Sequence, residues 1–207
     1  MTPREKEIVK VLADSVRVLS IDQVSSAWWS ETRWGRSRAK SALSALVHEG
    51  WLHVQQALSR PVLQLTAPIV EWRPEQIQPD LNAAALKLHR RAMTHAIPQT
   101  VYYASSKAVC LFGSGRAPTI KLTQMTHDLH VSEVYLHYRT QERAAEDWVS
   151  EDRLPRDWLV KVRPDAAIRD HEGSIARAVE YGGDYPVSRL IEIHEQLASV
   201  GIGYELW

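Results

Sequence analysis

Pro164-Asp165-Ala166-Ala167-Ile168-Arg169-Asp170-His171-Glu172-Gly173-Ser174-Ile175-Ala176-Arg177-Ala178-Val179-Glu180-Tyr181 carries the pattern that decides the second half of this chain. Two short runs rich in Ala, Ile and Val flank a polar turn at Glu172-Gly173, which predicts a β-hairpin. A turn centred between those two residues sets Asp165 directly across from Glu180. Facing carboxylates repel and weaken a hairpin, so the pair has little structural purpose. A divalent cation between them would remove the repulsion and give the pair a use. A slip of one residue would undo the pairing.

Working outward, Thr126 to Arg139 reads as a helix capped by Thr126, and Trp148-Val149 as a strand. The hairpin follows, and Gly182-Gly183 breaks its second strand. Pro186 falls in the first turn of a helix through Leu190, Ile191, His194 and Leu197. Gly201 to Trp207 closes the chain as a strand, so the order is α-β-β-β-α-β. Upstream, Val101-Tyr102-Tyr103 predicts a strand, and Ser105 to Phe112 fits helix or strand equally. Tyr181 and Tyr185 flank the glycine pair and invite a covalent role. Strand alternation turns Tyr181 away from Glu180, which makes it a core tyrosine and leaves Tyr185 unassigned. His127 and His130 are spaced to share a metal but lack a third ligand, so capping or packing is the better reading; His137 shares their helix.

The first seventy residues form a separate pattern. Thr2-Pro3 opens a helix with Ile8, Val9, Val11 and Leu12 on one face. Ser20 caps a short helix from Ile21 to about Trp29. A third helix carries Leu43, Leu46 and Val47 inward and ends at Gly50. Trp51 to Val54 and Val62 to Leu65 then read as two strands around the loop Gln55 to Pro61. Three helices followed by a hairpin is the winged helix-turn-helix plan, whose third helix enters the major groove of double-stranded DNA. Arg33, Arg36, Ser37, Arg38 and Lys40 lie at the start of that helix, with no acid between Glu31 and Glu49, where phosphate and base contacts are made. Pro68, Pro74 and Pro79 mark a linker from Ala67 to Asp80, followed by a helix from Leu81 to about Ala96. The expected division is 1–72, a DNA-binding domain; 73–98, a linker and connecting helix; and 99–207.

Composition sets outer bounds. Lys+Arg and Asp+Glu each total 25 in 207 residues, so any charge argument must be local. The single cysteine, Cys110, excludes an internal disulfide and a cysteine-rich zinc site. The charged N-terminus lacks the apolar stretch of a signal peptide, and no apolar run reaches spanning length. A cytoplasmic protein with no membrane role is expected. Eight tryptophans accompany one phenylalanine. Most are read as core packing, with base stacking reserved for Trp34 among its basic neighbours.

The α-β-β-β-α-β order, with Pro164-Asp165 opening one strand and Glu180 on the next, resembles the PD-(D/E)XK nuclease superfamily. A winged helix joined to such a core is similar to the replication-relaxation family and to MobC-type plasmid mobilisation proteins, through His127-Asp128-Leu129, Pro164-Asp165-Ala166 and Glu180-Tyr181-Gly182-Gly183. The resemblance implies an α+β fold with an N-terminal winged helix-turn-helix and an αβββαβ restriction-endonuclease-like domain. It implies Asp165 and Glu180 as Mg²⁺ ligands and catalytic acids, with Glu133 as the helix acid. The catalytic lysine of that pattern falls on Gly182, a departure that points to a degenerate site; Arg189, on the next helix, cannot act as a base in its place. The expected function is DNA binding in plasmid or mobile-element replication or mobilisation. The alternatives are an active Mg²⁺-dependent nickase or relaxase and a transcriptional regulator. A homodimer on paired half-sites is compatible with such a module, as is contact with replication or mobilisation proteins.

Overall fold

Two capping boxes start the chain. In the computed structural model, Thr2 and Glu5 exchange side-chain-to-backbone bonds at the first helix, and Ser20 and Gln23 do the same at the second. The structure describes residues 1–113, 119–141, 145–155, 157–158 and 160–207. In chain order the elements are α1 (Pro3–Asp14), β1 (Leu19–Ser20), α2 (Ile21–Trp28), α3 (Arg33–His48), β2 (Leu52–Ser59), β3 (Val70–Trp72), α4 (Leu81–Arg91), β4 (Ile97–Ala104), α5 (Ser106–Phe112), α6 (Met125–Arg139), β5 (Trp148–Ser150), β6 (Ala166–Arg169), β7 (Ile175–Glu180), α7 (Val187–Ser199) and β8 (Gly203–Leu206). The fold is mixed α+β. No helix among the described residues is long and apolar enough to cross a membrane.

The chain forms two compact units interleaved in sequence. The first takes Met1–Leu63 and His95–Leu136, the second Gln64–Thr94 and His137–Trp207. In the first, Ile8, Val9, Val11 and Leu12 are all buried, as their spacing predicts. Gly50 ends α3 at φ 74°, with Trp51 N–H on Leu46 O and Gly50 N–H on Val47 O. This is a Schellman cap, and it needs the left-handed residue that glycine supplies.

The sheet of this unit has the order β1-β4-β2, antiparallel throughout. Here one expectation fails. β2 does not turn back onto Val62 to Leu65; it runs on to Ser59 and pairs with β4, from Leu52↔Ala104 to Ser59↔Ile97. Residues 62–65 hold no strand, and two backbone donors here turn to α6 side chains instead. Arg60 N–H donates to Thr126 Oγ1 at 3.0 Å, and Leu63 N–H donates to His130 Nε2 at 3.2 Å. Thr126 therefore serves this segment, and α6 starts one residue earlier, at Met125.

The second unit is built on a five-stranded sheet of order β3-β8-β7-β6-β5, in which only β7 and β8 are parallel. The stretch expected as a linker contains β3, bracketed by Pro68 and Pro74, which pairs Val70↔Leu206 and Trp72↔Tyr204. α4 and α7 cover one sheet face. Leu81, Ala84, Leu88, Leu190, Ile193 and Leu197 pack there against Trp72, Ala178, Tyr204 and Leu206. The hairpin register is the expected one, Ala166↔Val179, Ala167↔Ala178 and Ile168↔Arg177, with a shift only at Arg169 near the turn. Asp170 Oδ1 accepts from Glu172 and Ser174 N–H, and Gly173 takes φ 83°.

Candidate functional site

Two places collect chemistry, one in each unit. In the first unit, Thr32 caps α3 by accepting from Gly35 N–H at 3.1 Å. A side chain at Gly35 would collide with the backbone and hydroxyl oxygens of Ser30, so glycine is what lets α2 and α3 join through so tight a turn. Ala39, Leu43 and Leu46 face inward with Gly35. That leaves Arg33, Trp34, Arg36, Ser37, Arg38 and Lys40 exposed over the first two turns. The sequence-predicted basic set is thus gathered at one helix end. Arg36 is ion-paired with Asp22 of α2. The Arg38 guanidinium lies 4.0 Å from the Trp34 ring centre, a cation–π contact.

In the second unit, β6 and β7 bring Asp165 and Glu180 to adjacent strand ends, as the register requires. Asp165 is half-buried and Glu180 is 4% exposed. Asp165 Oδ2 accepts the Tyr181 N–H at 2.8 Å, and Glu180 Oε1 accepts the Tyr185 hydroxyl at 3.0 Å. Burial, then the fields of Glu180 and Asp165, push the Tyr185 hydroxyl far above its ordinary value. It stays a proton donor to Glu180 and is a poor nucleophile. Arg189 of α7 is within electrostatic reach of the same cluster. Burial works against its charge, but the hydrogen bond and field of Glu192 and the fields of Glu180 and Tyr185 outweigh that and raise its pKa. Tyr181 is buried, as strand alternation predicted.

Gly182 leaves no room for a side chain. A Cβ there would lie 2.6 and 2.8 Å from the two methyl carbons of Leu88 and 3.0 Å from Leu206. The first carbon of a side chain at position 182 would therefore meet the apolar core beneath α4. No third imidazole, thiolate or carboxylate joins Asp165 and Glu180 in a metal-holding group among the described residues. One oxygen of each acid accepts a protein hydrogen bond, which leaves Oδ1 of Asp165 and Oε2 of Glu180 as the oxygens that could face a cation.

Glu133 stands in the first unit, where its Oε2 accepts from Gln23 Nε2 at 3.0 Å. Desolvation raises its pKa; the Gln23 bond pulls it back, and Glu31 adds a smaller upward push. A carboxyl raised in the folded state contributes stability at low pH and loses it as pH rises from the unfolded value near 4.5 through the folded one. Glu133→Gln should therefore raise the thermal midpoint at pH 7 by about 2–4 °C, the shift of roughly 1 kcal/mol in a chain of this size. The gain should vanish near pH 4, and scanning calorimetry at both pH values checks it. His130 is buried with both ring nitrogens engaged. Nε2 accepts from Leu63, so Nδ1 must donate to Thr126 O at 2.6 Å. It is a structural histidine, as its spacing already favoured.

Comparison of the chain with protein families, with curated proteins and with solved structures yields no match.

Proposed function

We propose that this is a DNA-binding protein whose α3 docks in the major groove of double-stranded DNA and whose second unit is a nuclease-like scaffold without hydrolytic activity. The exposed basic end of α3 carries this reading. Five polar or cationic side chains, Arg33, Arg36, Ser37, Arg38 and Lys40, share one solvent-facing end while Gly35, Ala39 and Leu43 anchor the other side. The element order α1-β1-α2-α3-β2-β4 and the sheet order β1-β4-β2 support a winged helix, one in which residues 64–94 are inserted between the two ribbon strands. The β5-β6-β7-α7-β8 order of the second unit supports a PD-(D/E)XK-like core, although most of α6, the expected first helix, belongs to the first unit. Gly182 facing Leu88 supports its degeneracy. A role in the replication or mobilisation of a plasmid or mobile element, or in transcriptional control, is consistent with a binding module that carries an inert nuclease-like partner.

Fluorescence-anisotropy titration of labelled duplex tests the reading. Binding should persist in EDTA and in Asp165→Ala. It should weaken by about tenfold or more when Arg33, Arg36 and Lys40 are replaced together by Ala, since each cation neutralises phosphate. Mg²⁺-dependent nicking of supercoiled DNA, lost in Asp165→Ala and Glu180→Ala, would overturn the scaffold assignment and favour a nickase.

A further inference from the structure

Trp34 is the one tryptophan in the exposed class, at 63% exposure; the other seven are buried or half-buried. It is the second residue of α3, immediately past the Thr32 cap. No core contact accounts for its placement. One face of the indole meets Arg38, one turn further along the helix, and Arg33 and Arg36 flank it in sequence. The result is a flat aromatic surface set among phosphate-binding cations.

An intact B-form duplex has little use for such a surface. Every base there is covered on both faces by its neighbours, and the major groove presents only base edges to a helix. The face of an indole finds its complement where a base has lost a stacking neighbour, in a single strand or at an opened pair. A guanidinium beside the ring adds a planar donor that can grip the phosphate of the unstacked nucleotide in two places. We infer that the α3 surface selects duplex DNA containing unpaired bases, with Trp34 stacking on one of them and Arg38 holding its phosphate. The inference rests on α3 being the DNA-docking helix and adds which DNA it prefers.

The experiment compares two fluorescein-labelled probes, a fully paired duplex and the same duplex with a central run of mismatched pairs. Each is titrated by anisotropy with the full chain. Stacking on one base is expected to favour the mismatched probe by about tenfold. Binding should also quench indole emission. Trp34→Ala should abolish both the preference and the quenching. Trp34→Phe should keep part of the preference, and Arg38→Lys should lower affinity for both probes while weakening the preference. Equal affinity for the two probes, or a preference that survives Trp34→Ala, would overturn the stacking role and leave DNA docking by α3 intact. Binding to neither probe would overturn the docking reading beneath it. Far-UV circular dichroism confirms that the variants fold; Trp34 is exposed and contributes little to the core.

Discussion

Gly182→Lys is expected to destabilise the second unit by at least about 3 kcal/mol and to create no nuclease. The first carbon of any side chain at 182 meets Leu88 and Leu206, which are 0% and 1% exposed. The leucine methyls can shift a little to admit one carbon. Four carbons and an ammonium cannot follow without opening the layer where α4 and α7 cover the sheet. Overpacking alone costs about 1–3 kcal/mol. An ammonium among apolar groups costs more, or gives up its proton. Urea unfolding followed by circular dichroism should show a lower midpoint for Gly182→Lys than for Gly182→Ala, with no Mg²⁺-dependent nicking by either. A stable lysine variant that nicks DNA would mean that the side chain turns toward Asp165 and Glu180 after all.

Arg177→Ala should cost the same unit about 3–5 kcal/mol, a large part of a typical domain's stability. Glu71 on β3 and Glu205 on β8 are direct cross-strand partners. Facing carboxylates at that spacing repel. Arg177, on β7, resolves the conflict: its guanidinium lies 2.8 Å from Glu205 and 3.9 Å from Glu71. Glu205 is 5% exposed and accepts from the Tyr138 hydroxyl at 2.6 Å and from Trp207 Nε1 at 2.8 Å. Burial first, and then the hydrogen bond to Glu205, hold the Tyr138 proton in place well above its ordinary pKa. Without Arg177, Glu205 keeps its two donors but loses its counter-charge. Arg177→Met combined with Glu205→Gln should recover much of the loss, because no ionised group is then stranded. A double variant no more stable than Arg177→Met alone would contradict the ion-pair account.

These two networks show where the sequence was readable. Local grammar was sufficient for α1 and α2, whose capping boxes lie within a few residues of the helices they start. It was sufficient for the β6–β7 hairpin, because alternation and a central turn leave one register that buries Ala167 and Ala178 together. It failed for β2, whose partner β4 lies about forty residues away and is brought in only by the interleaving of the two units. It failed for β3, a three-residue strand between prolines that exists by pairing with β8. At the site, hairpin arithmetic placed Asp165 beside Glu180, and the basic residues of α3 emerged together on its exposed side. The Tyr181 N–H and the Tyr185 hydroxyl that bond these acids lie beyond the paired strands, so the hairpin pattern alone did not reveal them. The more closely matched pair, Glu71 and Glu205, went unseen because its strands are far apart in sequence. Leu88 over Gly182 was hidden for the same reason.

The most direct test of the central claim is the salt dependence of duplex binding in EDTA. If α3 docks through phosphates, log Kd rises linearly with log salt, and removing Arg33, Arg36 and Lys40 lowers the slope by about 0.9 for each phosphate that is no longer neutralised. Asp165→Ala should leave both slope and affinity unchanged. A slope indifferent to the α3 substitutions, or binding that disappears with EDTA or with Asp165→Ala, would contradict the account.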